Sequence, residues 1–232
     1  MEGKLSNGDF ARIEFTGKRT GGAIFDTTDQ EKAKEAGIFS ERYKYGPSLV
    51  VVGKGMVVKG LDEALAGMGV GDSKTVELAP EKAFGLRSPS LIRMVPLAEF
   101  KKRDVNPSPG MVIEVDGRPA AIKSVTSGRV MVDMNHALAG EKIVYEVKVA
   151  GVIEGLEGRL KALLDESGLT GAKIKAKGSD AEIEFHGLSG EDTKRLIAKS
   201  TFLRTVRELI PELKKVKFEE EYILSEVQET KE

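Results

Sequence analysis

Between Gly85 and Asn135 the chain changes character, and no other feature constrains its architecture as much. Residues 86–131 carry eight basic side chains (Arg87, Arg93, Lys101, Lys102, Arg103, Arg118, Lys123, Arg129) against four acidic ones (Glu99, Asp104, Glu114, Asp116), a net of +4. The whole 232-residue chain, with 36 Lys and Arg against 37 Asp and Glu, stands at −1. A composition shift of this kind marks a separate module. The flanking residues, 1–85 and 132–153, then form one discontinuous unit, and 154–232 form a third.

The first unit is predicted to be mostly strand. Phe10–Phe15 alternates in part and is expected to end at Thr16-Gly17. Leu49-Val50-Val51-Val52 is a short apolar run, hence a buried strand, and Lys74–Leu78 alternates again. Leu61, Ala64, Leu65 and Met68 fall on one face of a short helix closed by the glycines at 67, 69 and 71. In the last strand Tyr145, Val147 and Val149 oppose Val144, Glu146 and Lys148. Strands with one short helix predict an α+β fold, an antiparallel sheet wrapped on a helix. Residues 29–44 are polar and helix-prone, and read as a solvated excursion.

In the insert, Leu91, Ile92, Met94, Val95, Leu97 and Phe100 crowd into ten residues broken by Pro89 and Pro96. A strand-turn meander follows over 112–132, with Asp116-Gly117 as a tight turn. After Gly155 the predicted order is α-β-β-α-β. Leu156, Leu160, Leu163 and Leu164 line the first helix, ended near Gly168. Ser189 and Asp192 resemble a capping box for the second. Leu196, Leu203, Val206 and Ile210 are read as that helix's buried face, with Pro211 as its stop.

The same residues exclude several chemistries. Cysteine is absent, which removes disulfides and thiol chemistry. The two histidines, His136 and His186, lack paired-ligand spacing, and no Gly-x-Ser-x-Gly elbow occurs, so no metal or cofactor is expected. Gly53–Gly60 has phosphate-loop glycine spacing, but Leu61 stands where Lys is required. The charge balance argues against a nucleic-acid protein. No apolar run is long enough to span a bilayer, and Met1–Leu5 has no leader core, which makes the cytoplasm the default location. The remaining reaction class needs no nucleophile. Rotation about an Xaa-Pro bond breaks no covalent bond and requires an apolar cup with a few placed polar groups.

Several motifs point to that class. Gly60-Leu61-Asp62-Glu63-Ala64-Leu65, Val70-Gly71-Asp72 and Ala83-Phe84-Gly85 precede the insert. Asn135-His136-Ala137-Leu138-Ala139-Gly140 and Ile143-Val144-Tyr145-Glu146-Val147 follow it, and Phe25-Asp26 lies upstream. This ordered set resembles the FKBP family of peptidyl-prolyl cis-trans isomerases, and residues 86–134 resemble the insert-in-flap domain of its SlyD-type branch. The resemblance implies a catalytic group of Asp26, Phe25, Tyr145, Phe84 and His136. It implies a substrate-binding set of Phe15, Val57, Val58, Leu61 and Leu138, with Leu91, Met94, Val95 and Phe100 of the insert gripping unfolded chains. The Val58 amide matches the one that binds the carbonyl beside the proline. From the residues alone, Asp26 before Thr27-Thr28 also fits a turn cap, and His136 also fits a turn residue.

Departures from the family pattern fall at Leu61 (often Trp), Phe84 (often Tyr) and Phe15 (often Tyr), and Ser48 falls near a position that is often aromatic. They leave a non-catalytic holdase as the alternative, and a binding module for a small ligand or partner as a third reading. Residues 155–232 resemble the C-terminal extension of long archaeal members. A three-strand, two-helix unit has a marginal core, which predicts a homodimer through it. The expected partners are unfolded proteins and proline-containing peptides.

Overall fold

A computed structural model describes residues 3–188 and 193–223. The capping box at Ser189 and Asp192 lies outside the described residues. The first unit comprises β1 (Phe10–Arg19), β2 (Ile24–Thr27), α1 (Gln30–Glu35), β3 (Ser48–Val51), α2 (Lys59–Leu65), β4 (Ser73–Leu78) and, beyond the insert, the last strand of its sheet, Ile143–Ile153. The insert holds β5 (Ile92–Pro96), α3 (Leu97–Lys101), β6 (Val112–Val115), β7 (Arg118–Thr126) and β8 (Arg129–Asp133), so Ile143–Ile153 is β9. The third unit is α4 (Leu156–Glu166), β10 (Lys173–Lys177), β11 (Asp180–Leu188), α5 (Thr193–Leu209) and β12 (Lys215–Tyr222).

β1 is the spine of the first sheet. β9 lies antiparallel along its full length, from Phe10 opposite Ile153 to Arg19 opposite Ile143, and β4 adds to the far side of β9. The other edge of β1 is shared, with β3 pairing Phe10–Ile13 and β2 pairing Thr16–Lys18. β1 does not end at Gly17, because the glycine is an interior residue with a packing role described below. The inner face (Ala11, Ile13, Tyr145, Val147, Val149) closes on Leu61 and Leu65 of α2. Gly60 permits that approach, since a Cβ there would lie 2.3 Å from Leu78 Cδ2.

The insert is a four-stranded antiparallel sheet in the order β5-β8-β7-β6. Asp116 and Gly117 both have positive φ (51° and 73°), as a two-residue type I′ hairpin requires. β8 runs to Asp133, two residues past the division read at 131. Phe100, Ala120, Ile122, Val130 and Val132 are its small core.

In the third unit β11 is central, antiparallel to β10 and parallel to β12, with α5 as the crossover. Leu160, Leu163 and Leu164 are buried, as the helical spacing predicts. The face of α5 differs in part from expectation. Val206 and, just beyond the helix, Ile210 are buried as read, together with Phe202 and Leu209, while Leu196 and Leu203 are 47% and 43% exposed. The row i, i+4, i+7 beginning at Phe202 lies about a quarter-turn from the one read from the leucines. The unit's core also includes Phe10, Leu49 and Val51, which point outward from the back of the first sheet and are at most 5% exposed. The C-terminal unit therefore completes its core on the first unit, which removes the marginal-core argument for a dimer. No helix among the described residues is long and apolar enough to cross a membrane.

Candidate active site

The inner face of the sheet delivers a continuous run of rings. Phe15 on β1 meets Tyr145 on β9 edge to face (5.9 Å, 67°). Tyr145 meets Phe25 on β2 (5.8 Å, 84°), and Phe25 meets Phe84 beyond β4 (5.8 Å, 78°). Phe84 then stacks flat on His136 (4.3 Å, 7°). Edge-to-face pairs of this kind contribute about 0.5–1.5 kcal/mol each beyond their buried area. Gly17 makes the run possible, since a Cβ there would sit 2.7 Å from Phe25 and 2.9 Å from Tyr145. The glycine after Phe15-Thr16 looked like a strand end, and its spatial role became legible only once the rings were placed.

Val57 and Val58 close another side of the cup, half-buried against the same core. Leu61 is 1% exposed, so it supports the floor from beneath and does not face open solvent. An aliphatic residue fills that place without disturbing the aromatic walls. Val58 is the N-cap of α2, its carbonyl accepting the Leu61 and Asp62 N–H groups at 2.9 and 3.0 Å. Its own N–H takes no part in those bonds. The 53–58 loop that presents it is held by a residue that sequence reasoning passed over. The Asp62 carboxylate accepts the Gly53 N–H (2.8 Å) and the Gly55 N–H (3.0 Å) and is 9% exposed. A carboxylate one turn into a helix that follows a glycine-rich loop is the available signal for such a role.

Asp26 is half-buried at the rim. Burial pushes its carboxyl above the ordinary 3.8, and the Thr27 backbone N–H partly offsets the rise. The turn-cap role falls to Asp29, whose Oδ1 accepts the Glu31 and Lys32 N–H groups at 2.9 and 3.1 Å to start α1. Thr28 and Thr27 are tied to β1, Thr28 Oγ1 accepting the Phe15 N–H at 2.9 Å. Tyr145 is pushed well above the ordinary tyrosine range, first by burial and then by the Asp26 charge. Tyr43 is also raised by burial and by the Asp26 charge. Tyr43 belongs to the excursion read as solvated, so the Asp26 charge bears on a tyrosine there as well as on Tyr145. His136 is an exposed turn residue and also the last ring of the run. Its Nδ1 accepts the Leu138 N–H at 3.2 Å, which places the proton of the neutral ring on Nε2.

The two chain segments joining the insert to the flap are clasped together. The Gly140 N–H donates to the Gly85 carbonyl at 2.8 Å. The Asn135 side chain bonds both the N–H and the carbonyl of Ser88 (2.8 and 3.0 Å), substituting for a rung of sheet. Arg87 forms an ion pair with Asp133, which is 2% exposed and also accepts from Asn135.

Other expected residues fall elsewhere. Phe100 is 8% exposed in the insert's own core, and Val95 packs against that core, because a sheet this small needs both to close. Leu138 is 6% exposed beneath the flap turn. Phe100 and Leu138 offer no free face to substrate, and Val95 is partly covered. Met94 at the β5 edge is 48% exposed, and Met111 (38%) and Val112 (66%) are exposed at the opposite, β6 edge. Leu91 is half-buried at the insert's entry, its carbonyl accepting the Met134 N–H. Among the described residues a hollow of about 710 Å³ lies along the middle of β1 and β9. Its lining joins Phe15, Tyr45 and Val147 to Glu14, Lys32, Lys74, Glu146 and Lys148, a mixed and largely charged surface, so the ring run defines the candidate site.

Comparison with known proteins agrees with this geometry. A model described as FKBP-type peptidyl-prolyl cis-trans isomerase matches residues 2–101, and one described as FKBP26, IF domain, matches 93–138. The chain is 38% identical over 148 residues to the short-type peptidyl-prolyl cis-trans isomerase of Methanocaldococcus jannaschii, covering 64% of this chain and 94% of that one. It is 32% identical over 123 residues to the FKBP-type 16 kDa peptidyl-prolyl cis-trans isomerase of Escherichia coli K12 (51% and 82% covered). It is 30% identical over 178 residues to the FKBP-type peptidyl-prolyl cis-trans isomerase SlyD of Treponema pallidum (72% and 89% covered). On its aromatic cup, its interrupted flap and these relatives together, the chain belongs to the FKBP-type peptidyl-prolyl cis-trans isomerase family.

Proposed function

We propose that this isomerase turns Xaa-Pro bonds in the cup formed by Phe15, Phe25, Phe84 and Tyr145, and that its insert holds unfolded chain beside that cup. The rotation barrier of about 18–20 kcal/mol comes from amide resonance. The planar amide is more charge-separated than the twisted one, so moving it from water into an apolar cup favours the twisted form. The Val58 N–H is the donor for the carbonyl beside the proline, and Asp26 supplies the polar rim. Such groups accelerate the reaction by binding the twisted form more tightly than the planar one, with no covalent step.

The observation that carries the reading is the ring run from Phe15 to His136, which ends at the clasped root of the insert. Met94 at the β5 edge and Met111 and Val112 at the β6 edge support the chaperone role, since one small domain leaves these apolar groups open. Residues 1–85 with 134–153 serve as the catalytic body and 86–133 as the gripping module. Pairing of two copies through the third unit now rests only on the exposed Leu196, Ile197 and Leu203 of α5.

The test replaces residues 89–133 with a short glycine linker. Turnover of a short proline peptide is expected to persist while catalysis of a proline-limited refolding reaction falls by tenfold or more. Equal loss on both substrates rejects the division of labour. A wild-type chain that slows aggregation but accelerates neither reaction supports the holdase alternative.

A further inference from the structure

The insert is joined to the first unit by a two-stranded ribbon that changes character along its length. On the insert side it is regular sheet, with Ile92 opposite Asp133 as the last rung. The Met134 N–H then donates to the Leu91 carbonyl at 2.9 Å. At the next step the rung is made by a side chain, the Asn135 amide holding both polar groups of the Ser88 backbone. On the cup side the ribbon narrows to the bond between Gly140 and Gly85, both in the left-handed region (φ 80° and 78°). Two facing glycines joined by one bond have the freedom of a hinge. An ion pair spans that point. The Arg87 backbone lies against Gly140, whose added Cβ would meet Arg87 Cβ at 3.5 Å. Its guanidinium reaches the other way, to Asp133 at the end of β8. Asp133 is 2% exposed, and its Oδ1 accepts the Asn135 backbone N–H (3.0 Å) and side-chain N–H (2.7 Å). None of Arg87, Asp133 and Asn135 belongs to a core cluster of the fold.

We propose that Arg87, Asp133 and Asn135 are positioning residues, which hold the insert at one orientation over the cup so that chain gripped by the insert presents its Xaa-Pro bond to the rings. The inference rests on the division of labour proposed above. Both linkers leave the ring run directly, since Phe84 precedes Gly85 and its stacking partner His136 follows Asn135. On the insert side, exposed Met94 lies two residues beyond the rung at Ile92 and Asp133. The cluster therefore stands on the short path between grip and cup. A buried ion pair adds little net stability over an apolar pair of the same volume, so what this one supplies is geometry. A client held by the insert reaches the cup at an effective concentration set by how narrowly the two are aligned. Freeing the ribbon lowers that concentration and leaves both binding surfaces as they are.

The experiment uses the full chain. Arg87→Gln combined with Asp133→Asn removes both charges together, so no buried carboxylate is left without its cation. Spin labels on Lys74→Cys in β4 and Lys123→Cys in β7 attach only there, because the chain has no cysteine of its own. The distance distribution between the labels should be narrow with the clasp intact and broaden in the paired variant. Arg87→Lys alone, which keeps the ion pair, should stay close to wild type. In the paired variant kcat on a proline-limited refolding client should fall about threefold to tenfold with KM unchanged, while a short proline peptide turns over at the wild-type rate. An unchanged distance distribution overturns the proposal, and so does a broadened one with client kcat untouched. Equal loss on peptide and client places the effect in the cup and overturns it too. Loss of the insert's own fold, read from the Val130 and Val132 methyl resonances, assigns the cluster to stability and also overturns it. A broadened distribution in the paired variant, with no insert-dependent turnover in the wild type, leaves the clasp standing as the orienting device and sinks the division of labour.

Discussion

Removing the C-terminal unit should strongly destabilise the catalytic body, and the structure sets the size of the effect. A chain ending at Ile153 uncovers Phe10, Leu49 and Val51, which are now 1%, 5% and 0% exposed against Leu160, Leu163, Phe202 and Val206. Full burial of one such side chain is worth about 1.5–3 kcal/mol, so the three together supply about 4.5–9 kcal/mol. The Arg12–Glu166 ion pair at 2.7 Å, partly exposed, adds under about 1 kcal/mol. A typical domain holds only about 5–15 kcal/mol in all. With a urea slope of about 2 kcal/mol/M, the midpoint of the truncated body should fall by about 3 M relative to the full chain. Replacing Phe10, Leu49 and Val51 by Thr should destabilise the full chain yet leave the truncated body almost unaffected, because there the burial has already been lost. A truncated body with an unchanged midpoint, or a full chain whose body and tail melt independently, refutes this reasoning. Light scattering on the same samples decides the pairing of copies, and a monomeric full chain removes it.

Two further outcomes follow from single side chains. Asp62→Ala strips the acceptor from the Gly53 and Gly55 amides, so peptide turnover should fall about tenfold with the melting temperature little changed, and Asp62→Asn should recover part of it. An unchanged rate means the loop holds itself. Glu220 accepts from Arg195, Lys199 and Tyr222; burial alone would raise its carboxyl, but these bonds outweigh it and hold it at about 2 instead of the ordinary 4.5. A depressed folded-state value stabilises above the unfolded value and is lost as pH falls through the folded one. The stability gap between wild type and Glu220→Gln should therefore be full at pH 7, at most about 3 kcal/mol, and should close between about pH 4.5 and 2. A gap that does not vary with pH excludes the charge as its source.

Much of the site was legible because its parts sit in short, ordered motifs. Phe25-Asp26, Ala83-Phe84-Gly85 and Tyr145 come together as the resemblance implied, and Leu160, Leu163 and Leu164 are buried as their spacing predicts. What was not legible depended on partners distant in sequence. Leu49–Val52 is apolar on both faces, which signals a strand covered on both sides, but nothing in the run says that α4 and α5 are the cover. On α5, Val206 and Ile210 are buried as their spacing suggests, but Phe202 and Leu209 take the places given to Leu196 and Leu203, and periodicity alone could not rank the two rows. Phe100 and Leu138 were assigned by neighbourhood to motifs, and burial shows that they serve packing. Tyr43 was hidden by the polar residues around it.

The central claim is turnover in the cup, and the rate of cis-trans exchange in an Xaa-Pro peptide tests it most directly. Exchange spectroscopy with the full chain should show acceleration that grows with enzyme concentration and drops by tenfold or more in Tyr145→Ala and Asp26→Ala, with both variants folded. Exchange that stays at the uncatalysed rate when wild-type protein is added contradicts the account.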